Sequence, residues 1–91
     1  MVRQKGARLL ARFEQLRRQF PSTIRQVRGI GMMFGIELTR PADRDVVFCR
    51  ENGLLINCTQ ENIIRLLPPL TVSEKETDFA VATLTRSFLV K

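Results

Sequence analysis

The sequence contains no histidine, no tryptophan and no tyrosine among its 91 residues. Histidine is the commonest general acid-base side chain and the commonest metal ligand, so its absence removes the usual basis for catalysis or metal binding. A chain of this length also forms one small domain with little room for an enclosed active site. We therefore treat residues 1–91 as one domain and predict no catalytic residue and no metal site within it.

Lysine and cysteine are also scarce. The three lysines are Lys5, Lys75 and Lys91, and a Schiff-base lysine among them would need a desolvated amine. Lys75 lies between two glutamates and the other two lie near the chain ends, so none is a credible Schiff-base residue. The two cysteines, Cys49 and Cys58, lack the spacing of metal ligands. We predict that both are reduced, in a cytoplasmic protein.

Charge and hydropathy argue against a membrane segment and against a nucleic-acid partner. No apolar run approaches the roughly 20 residues that span a bilayer, so no membrane segment is predicted. Residues 1–28 hold eight basic residues and one acidic residue, whereas residues 29–91 hold seven basic and eight acidic residues. The basic stretch lacks the serine enrichment of a transit peptide, and its phenylalanines are needed for the core rather than for stacking on bases. We therefore favour a solvated helix face and expect no nucleic-acid partner.

Hydrophobic periodicity and chain breakers predict three helices and four strands. Apolar residues at helical spacing indicate a first helix over residues 2–19, which Pro21 ends. Two strands flank a glycine turn, with the second over residues 32–38; a short helix capped by Asp43 then runs to residue 51. Two further strands cover residues 54–57 and 63–67, and Ser73 with Glu76 forms a capping box for the last helix. The order α-β-β-α-β-β-α predicts an α+β fold with a small, mostly antiparallel sheet covered by helices on one face.

The glycine-rich segment GIGMMFG, residues 29–35, is similar to a dinucleotide-binding fingerprint. Its third glycine comes one residue late, and a strand rather than a helix follows, so no helix N-terminus would face a phosphate. We predict instead a tight turn at Gly29 and Gly31 and close backbone packing at Gly35.

One charged residue interrupts an apolar strand. Arg65 lies between Ile64 and Leu66 in the segment IIRLLPPL, residues 63–70. A guanidinium cannot lose its charge on burial, so it needs a carboxylate or an opening to water. Simple alternation along the strand allows a solvent-facing side chain, whereas the fork of arginine also suits bidentate binding of a substrate carboxylate. The pattern alone leaves both interpretations open.

Three motifs, taken in their order, resemble the C-terminal part of class III pyridoxal-phosphate-dependent aminotransferases. They are VRGIGMMFGIEL (residues 27–38), ENGLLIN (residues 51–57) and IIRLLPPLTVSEKETD (residues 63–78). The resemblance is collinear over residues 6–90, so it covers nearly the whole chain. Within the class, the sequence is most similar to the acetylornithine aminotransferase type.

The resemblance implies the small C-terminal domain of a homodimeric fold-type-I transaminase whose cofactor is pyridoxal 5'-phosphate. The Schiff-base lysine and the phosphate-binding cup would lie in a large domain outside this chain, so the chain alone is expected to bind no cofactor and to be inactive. Without that large domain it should expose an apolar patch.

The resemblance also implies a reaction and a role for one residue. Arg65 matches the family arginine that pairs with the α-carboxylate of amino-acid and 2-oxo-acid substrates. The implied reaction transfers the δ-amino group of N-acetylornithine to 2-oxoglutarate, in arginine biosynthesis. Ornithine, succinylornithine and 4-aminobutyrate aminotransferases are the alternatives within the family, and a basic nucleic-acid-binding module is the alternative outside it.

Overall fold

The computed structural model describes residues 2–90, with side chains from residue 4 onward. The order of elements in this part of the chain is α-β-β-α-β-β-α, as predicted. The elements are α1 (Val2–Gln19), β1 (Ile24–Ile30), β2 (Met33–Leu38), α2 (Asp43–Glu51), β3 (Asn57–Thr59), β4 (Ile63–Leu66) and α3 (Glu74–Leu89).

The four strands form one sheet in the order β1-β2-β4-β3, and each neighbouring pair is antiparallel. The predicted α+β fold with an antiparallel sheet is therefore confirmed. Strands β2 and β4 lie at the centre of the sheet, so β4 has a neighbour on both sides. Arg65, the third residue of β4, is paired with Gly35 of β2 and with Asn57 of β3.

A single hydrophobic core joins the three helices to one face of the sheet. Alternate residues of β2, namely Phe34, Ile36 and Leu38, are at most 1% exposed, because successive side chains of a strand point to opposite faces. The Phe13 ring of α1 packs edge-on against Phe34, with ring centroids 5.2 Å apart. No helix of the described chain covers the other face of the sheet, which is therefore open.

The turn between β1 and β2 differs from the prediction. Gly31 has a φ of 60°, in the left-handed region that favours glycine, and it forms the two-residue connection with Met32. Gly29 instead lies within β1 and is paired with Phe34, so the predicted turn at Gly29 is wrong. A Cβ on Gly29 would lie 3.0 Å from Cδ1 of its strand partner Phe34 and 3.1 Å from Cδ1 of Leu10. Close packing against Phe34 of β2 and Leu10 of α1 therefore favours glycine at this position.

The prediction of close backbone packing at Gly35 is also wrong. A Cβ at this position would contact only Cγ2 of Ile63, at the ordinary distance of 3.6 Å. The close approach occurs at Gly6 of α1, where a Cβ would collide with the carbonyl oxygen of Gly31. The missing side chain at Gly6 thus lets the first helix approach the hairpin turn.

Helix α2 begins differently from the prediction. Ala42, not Asp43, is the N-cap residue, and no side chain caps the helix. Ala42 is fully buried and its N–H donates to the Glu61 carbonyl at 2.7 Å. Packing against the β3–β4 turn therefore fixes the helix start without a polar cap.

Strand β3 lies later in the chain than predicted, at Asn57–Thr59 instead of residues 54–57. The β3–β4 turn is formed by residues 60–62, of which Gln60 and Glu61 have φ angles of 51° and 70°. Non-glycine residues other than Asn and Asp seldom adopt such angles. The sequence predicts a connection over residues 58–62, but without the usual Asn-Gly or Asp-Gly pair it does not fix where the turn begins.

Helix α3 begins with the predicted capping box, which is confirmed. The Glu76 N–H donates to Ser73 Oγ at 3.0 Å, and the Ser73 N–H donates to Glu76 Oε1 at 2.9 Å. These two bonds satisfy donors that the first turn of a helix otherwise leaves unpaired. The helix then buries Leu84 and Phe88 in the core.

Candidate functional site

The open face of the sheet carries the site that the sequence indicated. Residues that are cross-strand partners share a face, so the pairing register determines which side chains are neighbours there. One row runs across all four strands of the sheet and holds two arginines separated by a glycine. Its members are Arg28, Gly35, Arg65 and Asn57.

Arg65 lies in the middle of this face. Its neighbours in β4, Ile64 and Leu66, are 0% and 8% exposed and point into the core, so alternation turns Arg65 to the open side. The Arg65 side chain is only partly exposed, and its Nη2 lies 3.9 Å from the Met33 sulfur. Among the described side chains, no carboxylate lies within ion-pair distance of Arg65.

The Arg65 side chain borders an open depression of about 430 Å³, which we call the arginine depression. It is lined by residues 28–30 of β1, residues 33–35 of β2, Thr59, Gln60, Ile63 and Arg65. A guanidinium remains charged in this setting and presents several N–H donors in one plane. The arrangement therefore suits an anion that brings two acceptor oxygens, such as a carboxylate.

Arg28 belongs to the same row but differs from Arg65 in its partners. The Glu37 carboxylate, 15% exposed, accepts hydrogen bonds from Arg28 and, at 3.3 Å, from Nη1 of Arg25. The charge of Arg28 is therefore compensated within the chain. Arg65, the other arginine of this row, has no carboxylate partner among the described side chains.

The lysines considered in the sequence analysis lie away from this depression. Lys5 Nζ donates to the Leu70 carbonyl at 2.6 Å, and Lys75 is exposed in the first turn of α3. Lys91 lies outside the described residues. Neither described lysine has the enclosed setting that a Schiff-base lysine needs, so the described residues do not fit pyridoxal phosphate as its covalent site.

Other predicted features can be placed as well. Cys49 is buried in the core and Cys58 is partly exposed in β3, and both are free thiols. Within residues 2–90, no group of three or more His, Cys, Asp or Glu side chains is arranged to hold a metal ion. In the same part of the chain, every helix falls short of the length and hydropathy that would cross a bilayer.

Two arginines of the basic helix α1 form ion pairs with acidic residues of α3. Arg12 Nη1 lies 2.8 Å from Asp78 Oδ1, and Arg8 Nη1 lies 3.4 Å from Glu74 Oε1. Both acidic residues belong to α3. Two of the positive charges of α1 thus face the first turns of α3 and contribute to the α1–α3 contact, although exposed pairs of this kind stabilise only weakly.

A second surface feature is an apolar groove of about 410 Å³, bordered by α1, α3 and the segments before β3 and after β4. Leu55 and Leu67 line it and are 82% and 60% exposed. Phe79, 44% exposed, and the pair Pro68 and Pro69 complete its wall. The structure thus has the exposed apolar patch that the sequence analysis expected.

The architecture is that of a small α+β domain that leaves one sheet face and one apolar groove open. The family model of class III aminotransferases matches residues 1–88. The chain therefore belongs to the class III aminotransferase family, whose members depend on pyridoxal phosphate.

Individual relatives agree with this assignment. Over 87 residues, 96% of this chain, the sequence is 36% identical to a mitochondrial acetylornithine aminotransferase of Neurospora crassa. Over 59 residues, 65% of this chain, it is 51% identical to acetylornithine aminotransferase 1 of Bordetella pertussis. The solved structure of lysine aminotransferase from M. tuberculosis superposes with a TM-score of 0.84 and 35% identity over 94% of this chain.

These relatives are much longer than the chain. The matched segments make up 19% of the N. crassa protein, 15% of the B. pertussis protein and 20% of the M. tuberculosis protein. The chain thus corresponds to less than a quarter of each. The similarity establishes the family and the fold of this chain.

Proposed function

We propose that residues 1–91 form the small C-terminal domain of an aminotransferase that transfers the δ-amino group of N-acetylornithine to 2-oxoglutarate in arginine biosynthesis. Membership of the class III family supports the reaction class. Relatives named acetylornithine aminotransferases, at 36% and 51% identity, support the choice of amino donor. The observation that carries the proposal is Arg65, a partly exposed side chain on the open sheet face that has no carboxylate partner among the described side chains.

In this proposal Arg65 binds the α-carboxylate of the amino-acid and 2-oxo-acid substrates. Two parallel N–H···O bonds from a guanidinium fix both the position and the plane of a carboxylate. Such charge-assisted bonds are stronger where water is excluded. A large domain lying over the open sheet face would exclude water there. The role of Arg65 is therefore to orient the substrate, while bond-making groups come from elsewhere in the enzyme.

The cofactor and the remaining partners belong to the longer enzyme. Pyridoxal phosphate, when bound, supplies the electron sink that the chemistry at the substrate carbon requires. Because the described lysines do not fit a Schiff-base site, we assign cofactor binding to a large domain of the same polypeptide. We also propose that this enzyme is a homodimer in the cytoplasm, and that the large domain covers the apolar groove lined by Leu55 and Leu67.

The amino donor is tested with the purified aminotransferase that contains this segment, loaded with pyridoxal phosphate. We expect N-acetylornithine to give the highest kcat/KM with 2-oxoglutarate as acceptor. Ornithine, succinylornithine, 4-aminobutyrate and lysine serve as competing donors, the last because the M. tuberculosis structure is a lysine aminotransferase. A higher kcat/KM with any of these would transfer the assignment to that donor.

The isolated 91-residue chain provides a second test. We expect no transamination when pyridoxal phosphate and both substrates are added to it, since Arg65 alone cannot replace the cofactor-binding residues. Turnover by the isolated chain would contradict the division of roles between the two domains.

A further inference from the structure

The five glycines of the chain differ in the structural reason for glycine at each position. Gly31 and Gly53 have φ angles of 60° and 87°, which disfavour any other residue. At Gly6 and Gly29 a Cβ would press against neighbouring groups of the hairpin or the core. Gly35 has neither feature, because its φ is not positive and a Cβ would find ordinary contact distances.

The fold therefore gives no reason for glycine at position 35. The residue lies inside the central strand β2, paired with β1 on one side and β4 on the other. Glycine weakens a strand interior because it has no side chain to pack and much backbone freedom to lose. A glycine retained in such a place often marks a point where a ligand or another backbone approaches closely.

The position of Gly35 indicates what approaches it. Gly35 lies between Arg28 and Arg65 in the row that crosses the open sheet face, and it lines the arginine depression. Arg28 is drawn toward Glu37, and Arg65 extends toward Met33. The empty position between the two arginines is the part of the depression directly beside the Arg65 side chain.

A side chain at position 35 would fill that space. Directly opposite residues of antiparallel strands have Cβ atoms about 4.5 to 5.5 Å apart, so their side chains stand next to each other on the same face. A methyl group at position 35 adds little bulk. A branched valine or leucine side chain would stand alongside Arg65 and occupy the space that a bound carboxylate would need.

We propose that Gly35 is a specificity-determining position whose missing side chain leaves room for a substrate carboxylate to pair with the Arg65 guanidinium. The inference rests on the proposed function of Arg65 as the carboxylate-binding residue. It adds that the site admits a carboxylate only while position 35 stays small, and that residue size at this position sets the affinity for 2-oxo acids.

The test uses the pyridoxal-phosphate-loaded aminotransferase that contains this segment, with Gly35→Ala, Gly35→Val and Gly35→Leu. The matched control is Gln26→Val, which places the same side chain on the open face of β1 outside the depression. The KM and kcat for 2-oxoglutarate are measured, together with the inhibition constant of glutarate, which reports binding without turnover. The melting temperature of each variant reports the fold.

We expect a graded result. Gly35→Ala should change the KM for 2-oxoglutarate by less than about threefold, whereas Gly35→Val and Gly35→Leu should raise it at least about tenfold, as estimated from the crowding of a packed site. The inhibition constant of glutarate should rise in parallel. The melting temperature should be maintained, and Gln26→Val should leave both constants unchanged.

Two results would overturn the inference, and each is distinct from a failure of the proposed function. An unchanged KM in Gly35→Val, while Arg65→Ala raises the KM, would remove the role of Gly35 and keep that of Arg65. Unfolding of Gly35→Val would show that the fold itself requires glycine there. If Arg65→Ala also leaves the KM unchanged, the proposed function is what fails.

Discussion

Ser87 and Asp45, 42 positions apart in the chain, meet in the interior, where Ser87 Oγ donates to Asp45 Oδ1 at 2.5 Å. Arg40 Nη1 donates to the other carboxylate oxygen at 2.6 Å. Asp45 is fully buried and Ser87 is 2% exposed. The carboxylate thus connects α2 to α3 and to the segment before α2, and its hydrogen-bonding capacity is used inside the protein.

We expect Arg40→Ala to lower the free energy of unfolding of the chain by about 3 kcal/mol, because it leaves a buried carboxylate without its counterion. Urea denaturation followed by circular dichroism measures this change. The control is Arg50→Ala, an exposed residue in the last turn of α2, which should cost less than about 1 kcal/mol. Equal effects of the two substitutions would show that the Arg40–Asp45 pair adds no stability.

The capping box makes stability depend on pH. Hydrogen bonds from the Ser73 backbone and then its side chain lower the pKa of Glu76 below its ordinary value of 4.5. Because the folded-state pKa is depressed, this contribution is fully present above pH 4.5 and is lost as the pH falls through the folded value.

We therefore expect the stability advantage of the wild type over Glu76→Gln to shrink as the pH is lowered below 4.5. Urea titrations of both proteins between pH 3 and pH 6 measure it. Glu74→Gln is the control, since the Glu74 carboxylate does not bond to Ser73. The free energy of unfolding of this variant should keep the dependence on pH that is due to Glu76. A constant difference between wild type and Glu76→Gln across the range would contradict the capping role.

The two thiols should react at very different rates. Burial, with the negative charge of Asp45 adding to it, raises the pKa of Cys49 to about 11, so at pH 8 only about one thiol in a thousand is ionised. Cys58 is partly exposed. We expect iodoacetamide to label Cys58 in the native chain and Cys49 only after unfolding in urea, as read by peptide mass spectrometry. Rapid labelling of Cys49 in the native chain would indicate that its surroundings are open.

The pairing of α1 with α3 leads to a prediction about nucleic acids. Because Arg8 and Arg12 face Glu74 and Asp78, we expect no saturable binding of labelled duplex or single-stranded DNA at micromolar concentrations of the chain. Fluorescence anisotropy at about 50 and 200 mM salt measures this. Micromolar binding that weakens steeply with salt would favour a basic binding module instead.

The parts of the fold that were predictable from the sequence are those determined by local patterns. The apolar stripe of α1 and the Ser73–Glu76 box act within one or two helical turns, so each was visible in a short window. The β3 strand was misplaced because its turn uses Gln60 and Glu61 in left-handed conformations. Their backbone angles follow from the pairing of β3 with β4, which no local pattern reports.

The sequence singled out Arg65 as a candidate site residue, but it did not predict which residues surround it. The run of apolar residues around Arg65 marked it as unusual, but its neighbours depend on the register of β2 against β4 and β1. The same limit explains why the position of Gly35 beside Arg65 was not predicted. The long-range pairs Arg12–Asp78 and Asp45–Ser87 are hidden from sequence for the same reason.

The KM for 2-oxoglutarate in the pyridoxal-phosphate-loaded aminotransferase that contains this segment tests the assignment of Arg65 most directly. Wild type is compared with Arg65→Ala and Arg65→Lys, with Arg50→Ala as the control on the exposed side of α2. Lysine keeps the positive charge but lacks the planar fork of arginine. The KM of Arg65→Lys should therefore lie between that of the wild type and that of Arg65→Ala. Arg65→Ala should raise the KM by the equivalent of about 2 to 4 kcal/mol, the range for losing one partner of a buried charged pair. An unchanged KM in Arg65→Ala would contradict the assignment of this residue to the substrate carboxylate.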